Sequence, residues 1–250
     1  MTIDRDRYRA EGILFPLPVF GSDAIAELRA EFDRFDVTEG EDRPQERNRG
    51  RHLDLPFAWR MATDERILAI MRQLLGPDLV IFGTDFFCKY GDPKAEAFVA
   101  WHQDVTYWGL EPPQAHTAWI ALDDSNVANG CMRVIPGSNL HGLVTHGTSE
   151  RAGNILSINQ EIPDELVDSS SAVDVVLQAG EVSIHDGQLF HASMPNRSSG
   201  RRCGMTVRFV TPEVRVVDNS PHNGLVLVSG SDTGGTLPLR ELPFPLSVAS

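Results

Sequence analysis

Apolar residues change their spacing along this chain, from three- and four-residue steps before position 76 to short runs and two-residue steps after it. Ile25, Leu28, Phe32 and Phe35 recur at helical spacing, which gathers them on one side of a helix that Ser22 is placed to cap. Thr63 is placed to start a second helix carrying Ile67, Ile70, Met71 and Leu74, and Gly76-Pro77 supplies its stop. Between the two, EGEDRPQERNRG is charged and broken by Pro and Gly, the composition of a solvated loop or a lid. Strand-like runs then follow at 79–82, 85–90, 99–104, 116–122, 132–135, 154–158, 173–177, 182–184, 189–192 and 204–210. Asn129-Gly130, Pro136-Gly137, Ala179-Gly180 and Asp186-Gly187 supply the turns between them. Many short strands without alternating helices predict a mainly β protein, a jelly roll with the two helices packed outside. The expected core runs from about 79 to 212 within one domain over 1–250. The tail from Glu213 is less patterned, and 229–236 reads as a flexible turn.

Composition narrows the function classes. A chain of 250 residues can bury a substantial core, and no repeat or low-complexity linker divides it. A formal charge of -13 opposes nucleic acid as a partner, and the basic stretch Arg43 to Arg51 is interrupted by Glu46. The N-terminus MTIDRDRYRAEG is charged where a secretion signal needs an apolar core, and no apolar run reaches membrane-spanning length. Cys88, Cys131 and Cys203 are dispersed and lack Cys-x-x-Cys spacing, so neither a disulfide framework nor a zinc knuckle is expected. These features predict a cytoplasmic monomer or homodimer that acts on a small molecule.

The chemistry lies in His102-Gln103-Asp104. Residues two apart on a strand share a face, so His102 and Asp104 can grip one metal. A second histidine from a neighbouring strand completes a two-His, one-carboxylate facial triad, the ligand set of iron oxygenases, with coordination positions left open. His52-Leu53-Asp54 has the same spacing, but its polar, Pro-bounded surroundings place it in a loop near the surface, at most on a pocket rim. Downstream, His116, His141, His146, His185, His191 and His222 all qualify by residue type. Context favours His191, where strand character gives way to small residues in LFHASMPN, with His185 at the edge of a turn as its competitor.

The stretches WHQDVTYWGL, TAWIALDDSNVANGCMRVIPGSN and GEVSIHDGQLFHASMPNRSSGRRCGMTVRFV resemble the phytanoyl-CoA dioxygenase family of Fe(II)/2-oxoglutarate oxygenases, and the similarity covers most of the chain, sparing the tail. The resemblance implies a double-stranded β-helix, a form of jelly roll, with His102, Asp104 and His191 as iron ligands. It also implies that Arg202 grips the far carboxylate of 2-oxoglutarate together with Ser193, a task that a guanidinium fork suits. Arg197, Arg201 and Arg208 are the neighbouring alternatives; period two puts Arg208 on the face of Arg202 and Arg201 on the opposite one. Trp119 resembles the aromatic wall beside the cosubstrate. Lys89 and Gln103 are weaker candidates for cosubstrate contact, and Tyr107 and Trp108 for the substrate side. The expected reaction consumes O2 and 2-oxoglutarate, hydroxylates a small molecule and releases succinate and CO2. Desaturation, cyclisation and epimerisation are alternative outcomes of the same cofactor chemistry. Asp104 argues against halogenation, which needs the carboxylate position for a halide, and the full triad argues against a jelly-roll binder without redox chemistry.

Overall fold

Alternation along one strand organises the molecule. In the computed structural model, which describes residues 1–38, 48–217, 224–232, 234–235 and 237–246, strand β12 (Arg202–Val210) sends Cys203, Met205, Val207 and Phe209 into a large apolar core. Arg202, Gly204, Thr206 and Arg208 therefore point to the other face. This strand lies inside a six-stranded sheet ordered β1 (Ile13–Pro18), β10 (Glu181–Asp186), β5 (His116–Ala121), β12, β2 (Leu79–Lys89) and β14 (Val226–Ser229). Its pairings are all antiparallel. Facing it is a four-stranded sheet, β3 (Val99–His102), β11 (His191–Ser193), β6 (Met132–Val134) and β9 (Val173–Val175). Trp119 and Ala121 of β5 pack there against Val134 of β6 and Val175 of β9. Two short pairs complete the described sheets: β4 (Leu110–Glu111) with β13 (Arg215–Val216), and β7 (Gly147–Thr148) with β8 (Gln160–Glu161). The protein is mainly β, and the space between the two sheets holds the site.

Helices close the outer face of the large sheet. Among the described residues they are α1 (Arg5–Glu11), α2 (Ser22–Thr38), α3 (Pro56–Ala62) and α4 (Glu65–Leu75), where the apolar periodicity predicted two. Short α1 and α3 carry too few periodic positions to stand out. Tyr8, Ile25, Phe32, Trp59, Ile67 and Met71 all join one core cluster with the sheet, and each fully buried aliphatic side chain contributes roughly 1.5–3 kcal/mol. Thr63, expected to open the second helix, instead closes α3 through its hydroxyl bond to the Trp59 carbonyl at 2.8 Å. Asp64 caps α4, its carboxylate accepting the Arg66 N–H. Ser22 lies inside α2, and the carbonyl before it, at Gly21, accepts the Ile25 N–H.

Three further expectations are corrected. Residues 79–89 form one continuous strand, β2, not two, and a bulge opposite Arg208 and Phe209 reverses its alternation partway along. Residues 154–158 form no strand; Asn154 makes an isolated bridge with Phe98, and its side chain accepts the Ala100 N–H of β3. Cys88 and Cys203, dispersed in sequence, face each other across β2 and β12 and are disulfide-bonded. The tail contributes β13 and β14. Most of the expected charged loop, His222 and parts of the expected turn at 229–236 lie outside the described residues. No helix among the described residues is long and apolar enough to cross a membrane.

Candidate metal centre

His102 ends β3, and its register partner His191 begins the adjacent β11. Pairing at the strand ends brings two imidazoles together by backbone hydrogen bonding alone, with ring centroids 4.0 Å apart. The strand stops at His102, so Asp104 does not sit on the same face by period two as the spacing predicts; it opens a 3-10 turn that curls its carboxylate back toward the histidines. Asp104 Oδ1 lies 3.5 Å from His102 Nε2 and 3.7 Å from His191 Nε2. One ligand atom from each of the three falls within 4.8 Å of the others.

The donor set suits a divalent ion. His102 Nδ1 lies 2.9 Å from the Ala100 carbonyl and 3.1 Å from that of His191, and His191 Nδ1 lies 3.0 Å from the Leu189 carbonyl. Each Nδ1 therefore carries the proton and each Nε2 presents a lone pair inward. Burial pushes His191 down to about 3, so it stands neutral. Burial alone would raise Asp104, but His191, His102 and His185 hold it well below the ordinary carboxylate range. A neutral His191 and an ionised Asp104 are in the protonation states that metal ligation requires.

Elsewhere in the same space the charge has the opposite sign. Arg202 and Lys89 are register partners on β12 and β2. Arg202 is buried, donates from Nε to Ser125 Oγ at 3.3 Å and leaves Nη1 without a partner among the described residues. Burial lowers its guanidinium to about 10, still charged at neutral pH. It stacks 4.7 Å from the Trp119 ring, which can lie flat because residue 204 is glycine: a Cβ there would come within 2.2 Å of the indole. Lys89, a strand-end lysine of the kind that ordinarily faces solvent, is buried here. Its Nζ donates to Ser193 Oγ at 2.6 Å and to the Met194 carbonyl at 2.7 Å. A buried guanidinium, a buried amine and a hydroxyl, with no carboxylate bonded to them among the described residues, suit an anion.

The competing arginines have other partners, although Arg208 also leaves its Nε unbonded among the described residues; Arg197 donates to the Ala95 carbonyl. Arg208 bonds Asp85 and stacks on Trp108, and Arg201 is held by Asp33 and Asp123 on the helix side.

The remaining candidates have these surroundings. Gln103 turns away from the metal trio: its amide donates to the Gly142 and Gln188 carbonyls, each at 2.8 Å, and accepts the Val144 N–H at 2.9 Å. With both of its donors used, it fastens a loop and does not line the cosubstrate space. This corrects its candidacy, because the loop backbone at Gly142, Val144 and Gln188 takes up its amide. Tyr107 packs its ring edge-on to His146, partly exposed, and Trp108 packs against Phe82. His52 is fully buried, not near the surface as its flanks suggest, and bonds Thr84 and Gly224. His185 is the penultimate residue of β10, beside the turn as expected, and lies 3.7 Å from Asp104 Oδ2. Thr117 and Ser125 went unnoticed in the sequence. Period-two alternation with Trp119 signals Thr117, whereas nothing local signals Ser125.

The fold and the trio place the chain among the iron- and 2-oxoglutarate-dependent oxygenases. A model of the family described as phytanoyl-CoA dioxygenase (PhyH) matches residues 8–204, and the chain belongs to that family. A phytanoyl-CoA dioxygenase domain-containing protein 1 homolog from Dictyostelium discoideum is 30% identical over 120 residues, 46% of this chain and 42% of that relative, so the match spans less than half of the relative's length. A probable alpha-ketoglutarate-dependent hypophosphite dioxygenase from Stutzerimonas stutzeri is 26% identical over 204 residues, 79% of this chain and 70% of that one. Among solved structures, the apo form of the non-heme monooxygenase ThoJ superposes with a TM-score of 0.76 at 32% identity, covering 94% of this chain and 87% of that one.

Proposed function

We propose that residues 1–250 form one domain whose two sheets make a double-stranded β-helix. We further propose that it hydroxylates a small organic molecule of the secondary-metabolite kind, turning 2-oxoglutarate into succinate and CO2. The observation that carries this reading is the pairing of an imidazole and carboxylate trio with a buried Arg202 that lacks an anionic partner among the described residues. When bound, iron supplies the oxygen chemistry. The chain's own residues do the rest. His102, Asp104 and His191 hold the ion, with Nε2 fixed inward by the carbonyl bonds to Nδ1. Arg202 and Lys89, with the Ser193 hydroxyl, bind the far carboxylate of 2-oxoglutarate, and Trp119 walls that space. Tyr107 and Trp108 are assigned to the substrate side. Asp104 fills the position that a halide would need, which supports oxygen insertion over chlorination.

The test is anaerobic addition of Fe(II) and 2-oxoglutarate to the full chain. A weak visible charge-transfer band is expected, and its absence would leave a β-sheet binder without redox chemistry. With a turning-over substrate and excess chloride, mass spectrometry should show added oxygen and no chlorine.

A further inference from the structure

The two oxygens of Asp104 meet different neighbours. Oδ1 faces His102 and His191, whereas Oδ2 lies 3.4 Å from Thr117 Oγ1 and 3.7 Å from His185 Nε2. Thr117 and His185 are directly opposed on β5 and β10, so one row of the large sheet offers both groups to the same oxygen. Both are buried, and neither ring nitrogen of His185 has a hydrogen-bond partner among the described residues. A buried polar ring left without a partner is costly, so its place beside a carboxylate oxygen needs a reason. The carboxylate needs one too. The terminal torsion of an aspartate is broad and nearly two-fold, and Asp104 sits in a turn beyond the end of β3. The backbone therefore does not decide which oxygen faces the histidines.

We propose that Thr117 and His185 are positioning residues for the metal. Thr117 through its hydroxyl and His185 through Nε2–H both donate to Asp104 Oδ2, and so keep Oδ1 alone turned toward His102 and His191. The proposal rests on the metal reading above. A carboxylate held in this way ligates through one oxygen. Released, it is free to turn both oxygens inward and to take up a position that the cosubstrate requires. The same geometry makes His185 a partner of a ligand and not a fourth ligand, and it gives the large sheet a direct hold on a residue carried by the small one.

Four variants separate this role from general support of the fold. Thr117→Val keeps the shape and removes the hydroxyl, and Thr117→Ser returns it. His185→Phe removes both ring nitrogens, and His185→Gln returns an amide donor. The full chain is titrated anaerobically with Fe(II), and with Co(II) so that its visible spectrum reports coordination. Thr117→Val and His185→Phe should still take one equivalent but bind about 10–100-fold more weakly, the range for loss of an outer-shell partner, with an altered Co(II) spectrum. Thr117→Ser and His185→Gln should recover most of the affinity and the spectrum. Unchanged binding and spectrum in Thr117→Val and His185→Phe would overturn the proposal while leaving the metal reading intact. So would losses that neither rescue variant restores. Complete loss of the metal in His185→Phe alongside full binding in His191→Ala would make His185 a ligand. An unmodified chain that binds neither ion would remove the metal reading itself.

Discussion

His52-Leu53-Asp54 and His102-Gln103-Asp104 share a spacing, and both bury their histidine, at 0% and 4% exposure. At the first, both ring nitrogens are engaged: Nδ1 lies 2.9 Å from Thr84 Oγ1 and Nε2 3.0 Å from the Gly224 carbonyl. Asp54 turns outward to Arg51 at 3.2 Å. At the second, only Nδ1 is engaged by carbonyls, Nε2 faces Asp104, and a second histidine arrives in register from the next strand. Burial therefore does not distinguish a ligand from a structural histidine. What distinguishes them is which nitrogen the backbone consumes, and whether the chain path brings the aspartate back.

Substitution at the two motifs should show the difference most strongly. His102→Ala is expected to abolish turnover and stoichiometric Fe(II) binding, because two facial ligands hold a labile ion too poorly; His52→Ala should still bind one equivalent in the same anaerobic titration. Equal iron binding in wild type and His102→Ala would break the comparison. Next in size, Arg202→Ala should weaken 2-oxoglutarate by roughly 1.5–3 kcal/mol, about one to two decades in affinity, with iron binding kept. Calorimetry that finds no change would move the anchor to another residue. For His52→Ala the effect falls on the fold: the Gly224 carbonyl loses its donor in a buried place, an expected loss of about 1–3 kcal/mol in denaturant unfolding.

The smallest effect concerns pH. Burial, with the Arg202 charge adding to it, lowers Lys89 to about 7. An arriving carboxylate favours the charged amine and raises that value, so 2-oxoglutarate binding takes up a proton once the free protein has begun to lose it. Affinity is then fully present below pH 7 and falls as pH rises through 7, by at most about tenfold per unit. Lys89→Met should flatten this slope in calorimetric titrations spanning neutrality, and a wild-type profile already flat there would remove Lys89 from the anion site.

Periodic features were legible in the sequence, and positional ones were not. The face shared by Arg202 and Arg208, and the burial of Ile25, Leu28, Phe32 and Phe35, follow from fixed periods that any reader of the chain can count. The bulge in β2 breaks the period, so one strand reads as two. The partnership of Cys88 with Cys203 depends on register between strands 115 residues apart, which composition does not encode. Gln103 fails for a related reason: a residue flanked by site residues looks like one, yet its amide meets Gly142 and Gln188, whose positions are set by distant loops. His52 shows the same limit from the other side, since a polar neighbourhood in sequence becomes a buried one once Gly224 packs over it.

Gly204 fixes a dimension of the molecule by contributing nothing to it. Because the backbone there carries no side chain, the Trp119 indole rests against β12, with the Arg202 guanidinium 4.7 Å from its centre. Even a single methyl at 204 would meet the indole on which that guanidinium rests. The seat of the buried cation is thus set at a position whose own side chain is absent, and Gly204→Ala should disturb Arg202 without removing any of its atoms.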